Sequence, residues 1–124
     1  MIPVIKKSDY TLITNLIKRL PYYQRTKDVE LLLEEMKKAE LVDDNEIKTD
    51  IIQLHSRFEV EDLASEKVFR LCITPPDLAD FKEERISIFS PLGVALFGYQ
   101  KGMTVEWELP GGLKKLFIKS VIIQ

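Results

Sequence analysis

The chain changes its hydrophobic period once, at the polar run Asp43-Asp44-Asn45. Before that run apolar residues recur every three to four positions, and after it every two. These are the repeats of a helix face and a strand face, so the chain is predicted to be helical first and β-rich second, an α+β protein. Leu12, Ile13, Leu16, Ile17 and Leu20 mark a first helix, with Ser8 and Asp9 suited to its cap and first turn. Pro21 ends that helix, because the residue before a proline is pushed out of the α region. Val29, Leu32, Leu33 and Met36 form the apolar face of a second helix, which Thr26 is placed to cap. Joined by only Tyr22 to Arg25, two helices with narrow apolar stripes are predicted to fold back as an antiparallel helical hairpin, a short coiled coil. Its expected seam is Leu12, Leu16, Val29, Leu33 and Met36, separate from the core of the sheet.

Beyond the break, Ile52, Leu54, Ser56, Phe58 and Val60 alternate with polar residues and predict a half-buried strand. Phe69, Leu71 and Ile73 predict a second, ended by Pro75-Pro76. A short strand is expected at Ile86 to Phe89, a short helix at Pro91 to Phe97, and a strand through Met103, Val105, Trp107 and Leu109. Pro110, Gly111 and Gly112 predict the turn into a last strand, about Lys114 to Ile123. The expected units are a helical hairpin over residues 1–46 and an antiparallel sheet carrying one short helix over 47–124. The sheet core is expected to hold Phe58, Leu71, Ile88, Leu96 and Trp107.

Charge narrows the function classes. Eighteen basic against 20 acidic residues leave a net charge of −2, unlike a protein that coats nucleic acid. One cysteine, Cys72, forms no internal disulfide, and one cysteine with one histidine is too few for a structural zinc site. With no apolar run of membrane-spanning or signal-peptide length, a cytoplasmic protein is expected, with no membrane partner and no cofactor.

The run Ile86-Ser-Ile-Phe-Ser-Pro-Leu-Gly-Val-Ala-Leu-Phe-Gly98, followed by Gly102 and Trp107-Glu-Leu-Pro-Gly-Gly112, resembles the C-terminal domain of the bacterial Gre transcript-cleavage factors. The chain is similar in particular to the short-hairpin branch of that class, the regulators of nucleoside diphosphate kinase, which also matches Ser56-Arg57. The resemblance implies an FKBP-like C-terminal fold and binding to bacterial RNA polymerase near its secondary channel, with DNA or RNA met only indirectly through the polymerase. It also implies modulation of elongation, in competition with true cleavage factors, or else regulation of another protein such as nucleoside diphosphate kinase. It places Phe89, Ser90, Pro91 and Leu92 in a polymerase-facing loop, with Phe89 standing where Gre factors often carry a polar residue. The residues have a second reading that owes nothing to family: Ser90 caps the short helix, Pro91 begins it and Gly98 ends it.

Gre factors hold a metal ion with an acidic pair at the hairpin tip. Here the tip residues are Tyr22, Tyr23, Gln24, Arg25 and Asp28, and the nearest second carboxylate is Glu30. Residues two apart point to different sides of a helix, so this pair is not expected to share a metal ion. A first helix of about 12 residues spans only about 18 Å. A monomer without enzyme activity and without metal is therefore expected. His55 reads as an exposed strand residue, and Asp43, Asp44 and Glu46 as a solvated linker.

Overall fold

The computed structural model describes residues 2–122. A short strand β1 (Val4–Lys6) runs directly into helix α1 (Lys7–Arg19). A turn at Pro21 to Thr26 leads to α2 (Lys27–Lys38) and then to β2 (Glu40–Val42). The sheet is built from β3 (Arg57–Asp62), β4 (Lys67–Thr74), β5 (Arg85–Ser87), β6 (Thr104–Leu109) and β7 (Gly112–Ile122). Helix α3 (Pro91–Leu96) sits between β5 and β6 in sequence. No helix among the described residues is long and apolar enough to cross a membrane.

The order of the sheet is β5-β4-β3-β7-β6. Its pairs are antiparallel except β4 with β5, which run parallel, so the sheet is mixed where an antiparallel one is expected. Pro75-Pro76 carries the chain out of β4, and two tight turns bring it back beside the same strand in the same direction. The Glu59–Val60 stretch of β3 faces Ser120 and Ile118 of β7, leaving Lys119 as a bulge that sharpens the curl of the sheet. The described part of β7 extends to Ile122, and Ile123 lies outside the described residues.

The first strand begins late. Ile52 to Ser56 is loop, buried except at His55, and β3 starts only at Arg57. Gln53, expected on a polar outer face, is buried because its side chain serves another segment. Its Oε1 accepts from the Lys6 N–H (2.9 Å), and its Nε2 donates to the Val4 carbonyl (2.7 Å). His55 is exposed as expected, but in a turn with φ of +70°, not in a strand.

The open end of the helical pair is stitched shut. β1 and β2 pair in parallel, Val4 opposite Glu40 and Lys6 opposite Val42, a contact too short to leave a period in the sequence. Ser8 and Asp9 lie inside α1, whose N-cap is Lys6 with no side-chain cap. Asp44 supplies the missing acceptor from 36 residues away, taking the Ser8 N–H at 3.0 Å, and Asp43 pairs with Lys7 at 2.7 Å. The supposed linker is thus the outer clasp of α1. α2 is capped as expected, with the Val29 N–H donating to Thr26 Oγ1.

The helices have no separate core. Ile13 and Ile17 of α1 and Val29, Leu32 and Met36 of α2 join one contiguous cluster with Phe58, Val60, Ile73, Ile88, Leu96 and Ile118. Of the expected seam, only Val29 and Met36 are buried, Leu16 and Leu33 are half-buried, and Leu12 is 41% exposed. α2 rests on α3, which in turn packs on β6. On α1 the stripe facing the core is therefore one residue round from the expected seam, whereas α2 keeps Val29 and Met36 and buries Leu32 in place of Leu33.

Candidate functional site

Ser87 to Gly93 forms a turn braced almost entirely by its own atoms. The Phe89 N–H donates to Ser87 Oγ (2.9 Å), and the Ser90 N–H donates to the Ser87 carbonyl (2.9 Å). Ser90 Oγ both donates to that carbonyl (2.7 Å) and accepts the Gly93 N–H (3.1 Å), so it caps α3 and closes the turn at once. Pro91 stands at the start of the helix, where its missing N–H costs nothing. Gly93 has to be glycine: a Cβ there meets the Ser87 carbonyl oxygen at 2.4 Å. Gly98, just beyond α3, has φ of +87° and ends the helix as its position in the sequence predicts.

Ile88 anchors this turn in the core, and its other apolar side chains are partly covered. Phe89 and Leu92 are half-buried and packed on the core, and Pro91 is half-buried beside them. Pro91 forms part of a groove of about 540 Å³, whose apolar lining continues with Leu31, Trp107 and Leu109. Lys27 and Asp28, from the first turn of α2, give it a charged lip. The structure thus brings Asp28 and Pro91, expected in separate units, to one groove. Trp107, expected in the core, is half-buried and lends a face to the groove instead. Its place in the Trp107-to-Gly112 motif was the available signal, since a motif that only made a turn has no use for a tryptophan. Leu31 had no such signal.

The rest of the tip stands apart. Tyr22 is 92% and Tyr23 82% exposed, and Gln24 and Arg25 are exposed with them. The Arg25 guanidinium donates to the Ile17 carbonyl (3.4 Å) near the end of α1. Glu30 is exposed while Asp28 lines the groove, so the two carboxylates do not converge. Among the described residues no three His, Cys, Asp or Glu side chains cluster in a way that could hold a metal ion. Cys72 is buried, which pushes its thiol pKa up and away from thiolate reactivity.

Residues 47–123 match the family model described as transcription elongation factor, GreA/GreB, C-term. The chain is 35% identical over 86 residues to the transcription elongation factor GreA of Alkaliphilus oremlandii, covering 69% of this chain and 54% of that protein. It is 29% identical over 94 residues to the regulator of nucleoside diphosphate kinase of Escherichia coli, covering 75% of this chain and 68% of that one. The match therefore spans about half the length of the first relative. Among solved structures, a prokaryotic transcription elongation factor GreA/GreB from Nitrosomonas europaea superposes with a TM-score of 0.78 at 28% identity, over 98% of both chains. GreA factor homolog 1 of Thermus thermophilus shares the fold, with a TM-score of 0.51 at 17% identity over 98% of this chain and 99% of that one.

Proposed function

The chain belongs to the GreA/GreB C-terminal-domain family, and on that premise we propose that it is a non-catalytic regulator that binds bacterial RNA polymerase near its secondary channel and modulates elongation. In this reading residues 47–124 form an FKBP-like docking domain, and residues 1–46 form a helical element at the channel mouth. The start of the family match at residue 47 supports that division. The observation that carries the proposal is the braced Ser87–Gly93 turn opening onto the Pro91–Trp107 groove. A surface that is half-apolar, rigid and concave loses little conformational entropy on binding, which suits a docking site.

Two features favour a role without chemistry. The carboxylates nearest the tip diverge, whereas a hard cation such as Mg²⁺ needs convergent oxygens. The tip itself is aromatic and basic, with Tyr22, Tyr23 and Arg25 exposed. Such a factor competes with cleavage factors for the channel without replacing their activity. It works in the cytoplasm, and nucleic acid is met only through the polymerase.

The test is a pull-down with purified bacterial RNA polymerase, run alone and against a competing GreA. Capture that GreA displaces supports the reading. Polymerase binding that GreA leaves untouched, or none at all, sinks it. The similarity to a regulator of nucleoside diphosphate kinase supplies the second reading, in which the same groove receives that kinase. Binding of purified kinase in place of polymerase would select it.

A further inference from the structure

Strand β6 closes one end of the sheet, with β7 on one side and no strand on the other. The two strands keep one register from Thr104 opposite Phe117 to Leu109 opposite Gly112. Just before it, the Ile118 N–H donates to the Met103 carbonyl (3.0 Å), which fixes the phase of the ladder. Hydrogen-bonded pairs then recur at every second residue, so Val105, Trp107 and Leu109 turn their backbone groups toward β7. Thr104, Glu106 and Glu108 turn theirs outward, and these find no backbone partner elsewhere among the described residues. Three N–H donors and three carbonyls thus stand in a row about 14 Å long. Such an edge is a template for another strand unless it is covered, bulged or blunted.

The side chains beside this edge differ by face. On the outer face Thr104, Glu106 and Glu108 are exposed, and neither glutamate takes part in an ion pair among the described residues. Lys115 stands opposite Glu106 on β7, but Glu108 has only Leu113 across from it. On the inner face Trp107 and Leu109 are half-buried and form one wall of the groove that Pro91 and Leu31 complete. The edge is therefore acidic on one side and apolar on the other.

We propose that β6 takes up an extended segment of a partner protein as a sixth strand, one whose residues alternate between apolar and basic. This rests on the reading of the Pro91–Trp107 groove as a docking site and says what enters it. The outward N–H and carbonyl groups of Thr104, Glu106 and Glu108 bond the incoming main chain. Its apolar side chains drop into the groove, and its basic ones lie beside Glu106 and Glu108. In strand addition main-chain bonds supply affinity and alternate side chains supply selectivity. A second copy of this chain does not meet that description, since pairing β6 with β6 sets glutamate against glutamate, and like charges directly opposite destabilise a strand pair.

Trp107 is the only tryptophan in the chain, so its emission reports directly on the groove. The probe is an end-capped peptide, Lys-Val-Arg-Val-Arg-Val-Lys, titrated into the full chain. Binding should shift the Trp107 emission and slow amide exchange at Thr104, Glu106 and Glu108 by roughly tenfold or more at saturation. Two N-methylated forms separate strand addition from charge attraction, which is the same for both. Methylating the arginine amides removes the N–H groups that face β6 in an antiparallel strand, and methylating the valine amides removes those of a parallel one. One form should bind at least about tenfold more weakly than the other. Glu106→Lys with Glu108→Lys, both at exposed positions, should weaken the basic peptide by about tenfold and favour its glutamate counterpart instead. No binding at about 1 mM peptide overturns the proposal. So does equal binding by the two methylated forms, or indifference to the charge reversal. Polymerase capture is scored separately: capture without these signatures leaves the docking reading standing and removes the added strand, whereas the signatures without capture keep the strand and give it a different protein partner.

Discussion

The Leu54 N–H donates to the carboxylate of Asp9 at 2.9 Å, across 45 residues of sequence. Asp9 is 7% exposed, and this bond pins the first turn of α1 to the buried loop ahead of β3. With Gln53 holding β1 through Lys6 and Val4, it sets how the helical pair sits on the sheet. This polar seam ties β1 and the start of α1 to the loop ahead of β3, while α2 rests on α3.

Removing the acceptor tests that seam. Asp9→Ala leaves the Leu54 N–H buried and unpaired and should cost about 1–3 kcal/mol in denaturant unfolding. Asp9→Asn keeps an acceptor oxygen and should cost less.

The same residue has an unusual pH signature. Burial pushes the Asp9 carboxyl pKa up, more than the Leu54 N–H pulls it down. The native state therefore keeps this proton after the unfolded chain has lost it. Asp9's contribution is most favourable below the ordinary carboxylate range and declines as pH rises through its raised value. Glu59, held down by Ser120 and then Arg70, and Asp62, held down by the Ala64 N–H, act oppositely and lose their contribution as pH falls. Wild type and Asp9→Asn should accordingly diverge as pH rises above the ordinary carboxylate range, with the variant gaining relative stability toward neutrality. Parallel stability curves for the two proteins would refute the assignment.

At the Ser87–Gly93 turn, stability and the proposed binding should separate by residue. Ser90→Ala removes the cap and should cost about 1 kcal/mol. Gly93→Ala, which drives a methyl into the Ser87 carbonyl, should cost about 1–3 kcal/mol and distort the loop. Pro91→Ala should leave the melting temperature near wild type yet weaken polymerase capture. Half-buried Phe89 should lose about 1 kcal/mol on change to serine, well short of the cost at fully buried Phe58. Melting and pull-down on the same four proteins check all of this. Full binding by folded Pro91→Ala and Phe89→Ser would reduce the turn to a helix cap.

No transcript cleavage is expected. A backtracked elongation complex given this protein and Mg²⁺ should release no short RNA. The measurement to make is RNA release before and after Asp28→Ala, and metal-dependent release lost in the variant would contradict the reading.

What the sequence determined by itself is local. Thr26 caps α2, Ser90 caps α3 and Gly98 ends it, because each of these needs only a few neighbouring atoms. The Ser90-to-Gly98 and Trp107-to-Gly112 motifs placed the family because each is contiguous in the chain. Tertiary structure decided whatever depended on distant partners. Ile52 to Ser56 alternates like a strand, but Gln53 and Leu54 bond β1 and α1 and hold the segment as loop. α1 carries two apolar stripes, and only the sheet beside it selects Ile13 and Ile17 for the core over Leu12 and Leu16. The parallel run of β5 and the meeting of Asp28 with Pro91 have no signature either. Periodicity reports which side of an element is apolar; which apolar side is buried, and against what, depends on atoms that distant parts of the chain supply.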